Sequence, residues 1–224
     1  MPAAKVQRPK APRPIVVKIG GSLAENDRIG GALDIIARAS RRIVVVPGGG
    51  VFADAVRDAQ NDYQFSDETA HRMAILAMHQ TALLLMDLQP RLSGVDTLAA
   101  MRTVWRRGLI PVWLPLKMCE DDREIPADWS ITSDGLAARL AERLRGSSVV
   151  LVKARGAPKG ASAFDLAREG IVDPIFAAIT TRAKLSWRLF GPGEEVGLAK
   201  LLGSTRSGRE DGRARVSRAG QRVR

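Results

Sequence analysis

The residues in this sequence best suited to binding or catalysis lie at the ends of two predicted strands. Both strand ends carry glycines, and one of them also carries a lysine. The first stretch, residues 15–22, is a run of β-branched residues interrupted and followed by Lys18, Gly20, Gly21 and Ser22. Glycine has no Cβ, so the backbone can approach a ligand closely there. Lysine is a flexible point charge that suits a phosphate group. This combination predicts a site for a phosphorylated ligand.

The second stretch, residues 42–46, is also β-branched and is followed by Gly48, Gly49 and Gly50. A helical pattern begins after Gly50, and the N-terminus of a helix offers free backbone N–H groups and positive partial charge to an anion. The stretch lacks the Lys-Ser/Thr of a Walker A loop and the spaced third glycine of the dinucleotide fingerprint. The two glycine-ended strands therefore predict a phosphate-binding cleft that is neither a Walker A loop nor a dinucleotide-binding fingerprint.

The elements that must position these ends alternate between short apolar strands and helices. We predict strands at residues 15–19, 42–46, 149–152 and 187–190, and helices at 28–39, 51–59, 67–88, 97–106, 164–168, 174–179 and 195–202. A further helix is predicted to begin at about residues 132–134 and to stop at Gly146. Such alternation favours parallel pairing with right-handed crossovers, and so an α/β fold. Residues 109–116 are apolar but contain two prolines, which predicts an edge strand or a broken one.

The helix at residues 67–88 is apolar nearly all the way round, which predicts burial in the core or at a subunit interface, and a homo-oligomer. His79 on this helix is interpreted as a satisfied core histidine. Asp54 and Arg57, three residues apart on the preceding helix, are interpreted as a surface pair. The acidic residues 120–122 are interpreted as a solvated turn.

Charge is concentrated at the two ends of the sequence. The net charge of this 224-residue chain is +11, of which residues 1–13 contribute +4 and residues 204–224 contribute +5. We predict disordered basic tails at 1–13 and 204–224 around one domain at 14–203. Weak RNA binding by the tails is an alternative, but solvated disorder is the simpler interpretation, and no nucleic-acid partner is expected.

The cysteine count and the hydropathy of the sequence indicate the cellular compartment. The single cysteine, Cys119, excludes an intrachain disulfide and suits a reducing compartment. The sequence contains no apolar leader and no run of membrane-spanning length. These features predict a cytoplasmic protein with no membrane partner. No base lies near Cys119 in the sequence, so an inert thiol is expected.

The glycine motifs, together with a later aspartate, resemble those of the amino acid kinase family. The resemblance spans about residues 14–203 and rests on Val-Lys-Ile-Gly-Gly-Ser at 17–22, Val-Pro-Gly-Gly-Gly at 46–50 and Thr-Ser-Asp-Gly-Leu-Ala-Ala at 132–138. It implies the carbamate kinase-like fold, a three-layer αβα sandwich with a mostly parallel central sheet. It also implies phosphoryl transfer from ATP, with Mg²⁺ arriving on ATP rather than in a protein site.

The same resemblance implies a role for individual residues. By this resemblance, Lys18 is expected to contact the transferred phosphoryl group, and Asp134 is expected to orient Lys18. Nucleotide phosphates are bound by Gly20, Gly21 and Ser22, with Lys153, Arg155 and Lys159 as candidates for a second cation, and the acceptor is held by Gly48, Gly49 and Gly50. His71 and Arg72 are further candidates to bind an acceptor phosphate, and a surface pair at the start of a helix is the equal alternative.

Residues 67–80, 128–134 and 170–176 resemble one branch, the aminomethylfuran-methyl phosphate kinases of methanofuran biosynthesis. This implies a small phosphorylated acceptor that is converted to a diphosphate. Two alternatives stay open. One is a kinase for an amino acid, UMP or isopentenyl phosphate. The other is a member of the fold that binds a nucleotide or anion without catalysis, because Leu-Val-Lys-Ala at 151–154 stands where many members read Leu-Leu-Thr-Asp, and no second lysine is clearly matched.

Overall fold

A six-stranded parallel sheet forms the centre of the computed structural model, which describes residues 13–21 and 28–204. The strands are β1 (Ile15–Ile19), β2 (Ile43–Pro47), β3 (Leu92–Val95), β4 (Ile110–Trp113), β5 (Ser148–Val152) and β6 (Trp187–Phe190). Their order is β3-β4-β2-β1-β5-β6, and each neighbouring pair is parallel. The predicted α/β fold with a parallel sheet is confirmed.

Helices connect the strands. They are α1 (Ile29–Ala37), α2 (Gly50–Tyr63), α3 (Asp67–Leu88), α4 (Leu98–Arg106), α5 (Leu116–Glu120), α6 (Ser133–Arg143), α7 (Ala163–Arg168), α8 (Pro174–Arg182) and α9 (Glu195–Leu202). Capping fixes several starts, because the side chains of Ser66, Thr97 and Asp173 accept from backbone N–H groups in the first turns of α3, α4 and α8.

The two faces of the sheet carry separate apolar clusters. Val16 of β1 packs with α6 residues such as Leu136 on one face. Val17 of β1 packs with α1 and α9 residues such as Ile36 on the other. Side chains alternate along a strand, so Lys18 lies on the face of Val16 and meets α6. This places helices on both sides of the sheet.

Helix α3 contributes to both clusters, with Ile75 and Met78 on one face and Ala82 and Leu85 on the other. This accounts for its apolar circumference. The helix also leaves large apolar side chains exposed, namely Leu76, Leu83, Leu84 and Leu88. His79 accepts a hydrogen bond from the backbone N–H of Leu116 at 3.2 Å, which fits the predicted satisfied histidine. The homo-oligomer stays a prediction.

Strand β4 corrects the prediction of an edge or broken strand at residues 109–116, because it lies between β3 and β2. The backbone N–H of Ile110 donates to Arg91 and that of Leu114 donates to Val95, so even-numbered residues face β3. Pro111, which has no N–H, therefore faces β2, where only Val112 pairs with Val45. The proline is tolerated because the β2 side of this strand is sparsely bonded.

Two short elements, β3 and α5, were not predicted from the sequence. The prediction of a solvated turn at residues 120–122 is wrong for Asp122, which is buried. Asp122 is 8% exposed and accepts two hydrogen bonds from Arg139, each of 2.8 Å. Burial alone would raise its pKa, but the hydrogen bonds and charge of Arg139 hold the pKa of Asp122 below its usual value. Near it, burial raises the pKa of the Cys119 thiol to about 12, which supports the predicted inert thiol.

The predicted basic tails lie outside the described residues, apart from Arg13 and Ser204. Within the described parts of the chain, no helix is both long enough and apolar enough to cross a bilayer. The cytoplasmic location stays a prediction.

Candidate active site

The two predicted glycine ends meet at the carboxyl ends of β1 and β2, where the loops pack backbone to backbone. A Cβ on Gly21 would lie 2.1 Å from the Cα of Gly50, and a Cβ on Gly48 would lie 2.6 Å from the nitrogen of Gly21. Gly50 has a φ of +56°, which favours glycine. The glycines are therefore required by the contact between the two loops, in addition to any approach to a ligand.

Replacing Gly21 by alanine should destabilise the fold by about 3 kcal/mol, because backbone must move to admit the new methyl group. The matched control is Gly31→Ala in α1, where a Cβ would meet nothing within 4 Å. That change should stabilise the protein by about 0.5–1 kcal/mol through helix propensity. Urea unfolding monitored by circular dichroism measures both, and equal free energies of unfolding for the two variants would contradict the loop contact.

Asp134 lies between two lysines at the centre of the site. Its Oδ1 is 2.9 Å from Nζ of Lys18, an ion pair without an aligned hydrogen bond, and its Oδ2 accepts a hydrogen bond of 2.5 Å from Nζ of Lys153. Lys18 belongs to β1, Lys153 follows β5, and these strands are neighbours in the sheet. Asp134 is in the first turn of α6. The arrangement joins three segments that are far apart in the sequence.

Burial and the neighbouring charges act in opposite directions on the pKa of Asp134 at the centre of this group. Asp134 is 3% exposed and Lys18 is 6% exposed. Burial alone would raise the pKa of Asp134, but the charges of Lys18 and Lys153 lower it below its usual value, so the carboxylate is ionised. Burial and the charge of Lys18 lower the pKa of Lys153, while Asp134 opposes that shift. Two ammonium groups thus share one carboxylate, and the group has a net positive charge suited to phosphate.

Asp173 holds the start of α6, and so Asp134, in place. Its Oδ2 accepts from the backbone N–H of Thr132 at 2.9 Å, the hydroxyl of Thr132 at 2.7 Å and the N–H of Gly135 at 2.8 Å. Its Oδ1 accepts from the N–H of Phe176 at 2.7 Å. Burial and the charge of Asp134 raise the pKa of Asp173, against these hydrogen bonds. One buried carboxylate therefore caps α8 and braces α6.

A cleft of about 250 Å³ opens beside the lysines, on the side of the second glycine loop. Its lining includes Lys18, Gly21, Gly48, Gly49, Gly50, Asp54, Arg57, His71, Trp129, Asp134 and Lys153. Thr81 of α3 donates to the carbonyl of Gly49 at 3.2 Å and so fixes that loop from behind. Helices α2 and α6 both begin at this cleft, and their N-termini favour an anion in it.

Arg57, Trp129 and Asp54 form the outer wall of the cleft. The guanidinium carbon of Arg57 lies 4.4 Å from the centroid of the Trp129 ring, and Asp54 accepts from Arg57 at 2.7 Å. The indole N–H of Trp129 donates to Gln60 at 2.7 Å. The predicted Asp54–Arg57 pair is present, but it borders the cleft. A flat aromatic surface and a positioned arginine are therefore available to an acceptor.

A second cleft, of about 220 Å³, lies on the other side of the lysines. It is lined by Lys18, Gly20, Gly21, Lys153, Ala154, Arg155, Gly170 and Ile171. Arg28 ties this side together, because it donates to the carbonyls of Lys153 at 3.1 Å and Gly191 at 3.0 Å. The two lysines therefore border both clefts.

The predicted site residues divide into those at the clefts and those elsewhere. His71 lines the first cleft, and its Nδ1 is 3.2 Å from the carbonyl oxygen of Asp128. Arg72 does not line that cleft; it pairs with Glu120 at 2.7 Å and its side chain is two-thirds exposed. Lys159 is exposed in the loop after β5 and lines neither cleft. Ser22 lies outside the described residues.

Four residues that position the site were not assigned a role from the sequence: Arg28, Thr81, Trp129 and Asp173. Asp173 had a usable local signal, since an aspartate directly before a proline is typical of a helix start. The others contact segments distant in the sequence and had none. Among the described residues, no three His, Cys, Asp or Glu side chains converge to hold a metal ion.

The comparisons with known proteins agree with this geometry. The sequence model of the amino acid kinase family matches residues 13–154. A curated relative, (5-(aminomethyl)furan-3-yl)methyl phosphate kinase from Methanocaldococcus jannaschii, is 29% identical over 138 residues. That match covers 61% of this chain and 63% of the relative, so it spans less than two thirds of the relative's length.

Two solved structures have a similar fold. Uridylate kinase from Archaeoglobus fulgidus has a TM-score of 0.63 at 16% identity, covering 86% of this chain and 96% of that one. UMP kinase from Ureaplasma parvum has a TM-score of 0.60 at 14% identity, covering 84% of this chain and 92% of that one. At such identities the likeness concerns the fold alone, and it supports the fold predicted from the motifs.

Proposed function

This chain belongs to the amino acid kinase family, and from that premise we propose that it is an ATP-dependent kinase for a small phosphorylated acceptor. The observation that carries the proposal is the Lys18–Asp134–Lys153 group between two clefts. Phosphoryl transfer requires positioned positive charge more than covalent help from the protein. A donor in one cleft and an acceptor in the other would meet at the two ammonium groups.

We propose (5-(aminomethyl)furan-3-yl)methyl phosphate as the acceptor and its diphosphate as the product, in a methanofuran-type pathway. The activity for which the Methanocaldococcus jannaschii relative is named supports this choice. The first cleft offers an aromatic ring, Trp129, for a furan ring and Arg57 for a phosphate. Its carboxylate, Asp54, suits an aminomethyl ammonium group.

In the proposed reaction, an oxygen of the acceptor phosphate attacks the γ-phosphorus of ATP. The bond from that phosphorus to the β,γ-bridging oxygen breaks, and ADP leaves with the electron pair. Lys18 and Lys153 stabilise the negative charge on the transferring group, and Asp134 keeps both ammonium groups in position. The glycine ends leave room for the phosphates, and Gly20 and Arg155 border the donor side.

Mg²⁺ neutralises phosphate charge when it accompanies ATP. Asp134 does not suit a direct ligand role, because both of its oxygens face lysines. We therefore assign Mg²⁺ to the phosphates of ATP and to no described residue.

A non-catalytic nucleotide- or anion-binding protein is the second candidate, and the lack of a clearly matched second lysine motivates it. The position of Lys153 favours the kinase instead. Its ammonium group contacts Asp134 and the carbonyl of Ile171, and it borders both clefts. Lys153 is thus the candidate second cation, ahead of the exposed Arg155 and Lys159.

The direct test is ADP production with ATP, Mg²⁺ and each acceptor in turn: the furan phosphate, UMP, isopentenyl phosphate, aspartate and acetylglutamate. We expect turnover with the furan phosphate at a kcat/KM at least about tenfold above that of any other acceptor. Turnover with another acceptor alone would exclude the proposed substrate. ATP binding by calorimetry without turnover on any acceptor would favour the non-catalytic alternative.

Arg57→Gln should raise KM for the phosphorylated acceptor about tenfold, because one charge-assisted hydrogen bond of roughly 1.5 kcal/mol is lost at a half-exposed site. KM for ATP should stay near the wild-type value, since Arg57 does not border the donor cleft. Arg57→Lys should recover little, because a lysine cannot stack flat on Trp129 or present a fork. Steady-state kinetics with each substrate varied measures this, and a change in KM for ATP alone would contradict the assignment of the first cleft to the acceptor.

A further inference from the structure

Six arginines line one cavity at the amino ends of the central strands. The proposed active site lies at the opposite edge of the sheet, at the carboxyl ends of the strands. The arginines are Arg13, Arg42, Arg102, Arg106, Arg143 and Arg145. Arg42 directly precedes β2, and Arg13 is separated from β1 by Pro14. Two of the others belong to α4, and the last two lie at the end of α6. The cavity has a volume of about 680 Å³, within the range of about 300–1,000 Å³ that is typical of ligand sites.

The arginines of this cavity carry more positive charge than the neighbouring helix ends and carboxylates offset. Helices α4 and α6 end there, and each C-terminus carries about −0.5 charge, far less than six guanidinium groups. The residues that line the cavity include no Asp or Glu. Of the six arginines, Arg143 alone pairs with a carboxylate of the described residues, Asp122 at 3.3 Å, and it shares that carboxylate with Arg139.

The remaining wall of the cavity is mostly apolar, and its aromatic ring is held by a hydrogen bond. Trp105 donates its indole N–H to the carbonyl of Ile43 at 2.6 Å, which fixes the ring, and Pro14 and Leu144 lie beside it. Arg13 donates to the carbonyl of Gly146 at 3.3 Å and so joins the start of β1 to the end of α6. The arginines are therefore mounted on elements of the core around a concave surface.

We propose that the arginine cavity binds a polyphosphate group, such as inorganic tripolyphosphate or the triphosphate of a nucleotide. Guanidinium forks bind phosphate oxygens in pairs, and several of them around one cavity match a chain of phosphates better than a single anion. The concave shape favours a small ligand over an extended nucleic acid. This site is separate from the kinase clefts, so the inference does not depend on the proposed reaction.

The test is isothermal titration of the full chain with tripolyphosphate, repeated with ATP, at low and at physiological salt. We expect two sites in the wild type. In Arg102→Gln/Arg145→Gln one site should weaken about tenfold for each arginine removed, while the other is unchanged. Both side chains are exposed, and neither makes a hydrogen bond to a described residue. The control is Arg188→Gln on β6, an exposed arginine that does not line the cavity; it is compared with the single variant Arg102→Gln, so that each removes one positive charge.

Outcomes separate the possibilities. If only tripolyphosphate binds at the second site, the ligand is the bare polyphosphate; if ATP also binds there, it is a nucleotide, and either result supports the proposal. Unchanged binding at every site in Arg102→Gln/Arg145→Gln, or equal weakening in the Arg188 control, would overturn it. The proposal would also be overturned if the cavity bound single-stranded RNA but did not bind tripolyphosphate. If the double variant melts early, Arg42→Gln, another exposed arginine of the cavity, should show the same selective loss.

Discussion

Lys18→Met is expected to lower kcat for phosphoryl transfer on the order of 10³-fold, with KM for ATP close to the wild-type value. The ammonium group of Lys18 faces the space between the two clefts, where negative charge develops on the transferring phosphoryl group. Removing one preorganised hydrogen-bond donor from such a place lowers kcat roughly 10²–10³-fold. Removing a cation that contacts a transferring phosphoryl group lowers kcat by more. Methionine keeps the length of the side chain, so packing in β1 is preserved.

Steady-state kinetics with ATP and the acceptor varied separately measures the Lys18 prediction. An effect on kcat without an effect on KM indicates an interaction made in the transition state. The matched control is Lys117→Met on α5, an exposed lysine 3.8 Å from Asp96, which should leave both constants unchanged. Full activity of Lys18→Met would exclude the proposed mechanism.

Asp134→Asn should impair both activity and stability. Removing one partner from a buried ion pair costs roughly 3–5 kcal/mol, because the other charge is left unpaired. Here two ammonium groups would face each other without the carboxylate. The pKa of Lys153, which burial and Lys18 already lower, would lose the contribution from Asp134 that raises it and would fall further. Catalysis would then lose a positive charge at neutral pH.

The pH dependence of the Asp134 variant follows from these directions. In the wild type the folded pKa of Asp134 is lowered, so its contribution to stability is present above the unfolded pKa and is lost as pH falls. In the variant the unfolded state binds more protons at Lys153, so stability should rise with pH, while activity should improve toward lower pH. Urea unfolding and kcat profiles over the pH range measure both. A variant with wild-type stability and an unshifted profile would show that Asp134 does not hold the lysines.

The sequence alone predicted most of the elements near the site, because their signals are local. Glycines at the ends of β1 and β2 mark the loops, and the long apolar run of α3 predicts both of its ends, Asp67 and Leu88. The local sequence could not predict the position of β4. Strand order depends on pairing between distant segments, and Pro111 suggests an edge that its neighbours do not provide.

The chemistry of the site was predictable only in part. The sequence pointed to Lys18 and Asp134 through motifs, but it left Lys153, Arg155 and Lys159 as equal candidates for a second cation. Only the pairing of β1 with β5 places Lys153 beside Asp134. Arg57 was likewise interpreted as a surface residue, since nothing in its helix shows that Trp129 from a distant loop lies beneath it.

The sequence by itself therefore determined the glycine-ended strands at which we predict a phosphate site, because strand period, glycine and lysine act through their nearest neighbours. Tertiary structure alone decided which charges meet. Ion pairs such as Lys153–Asp134 and clusters such as the arginine cavity join segments that lie far apart along the chain. Their energies depend on distance and burial, which no local pattern contains.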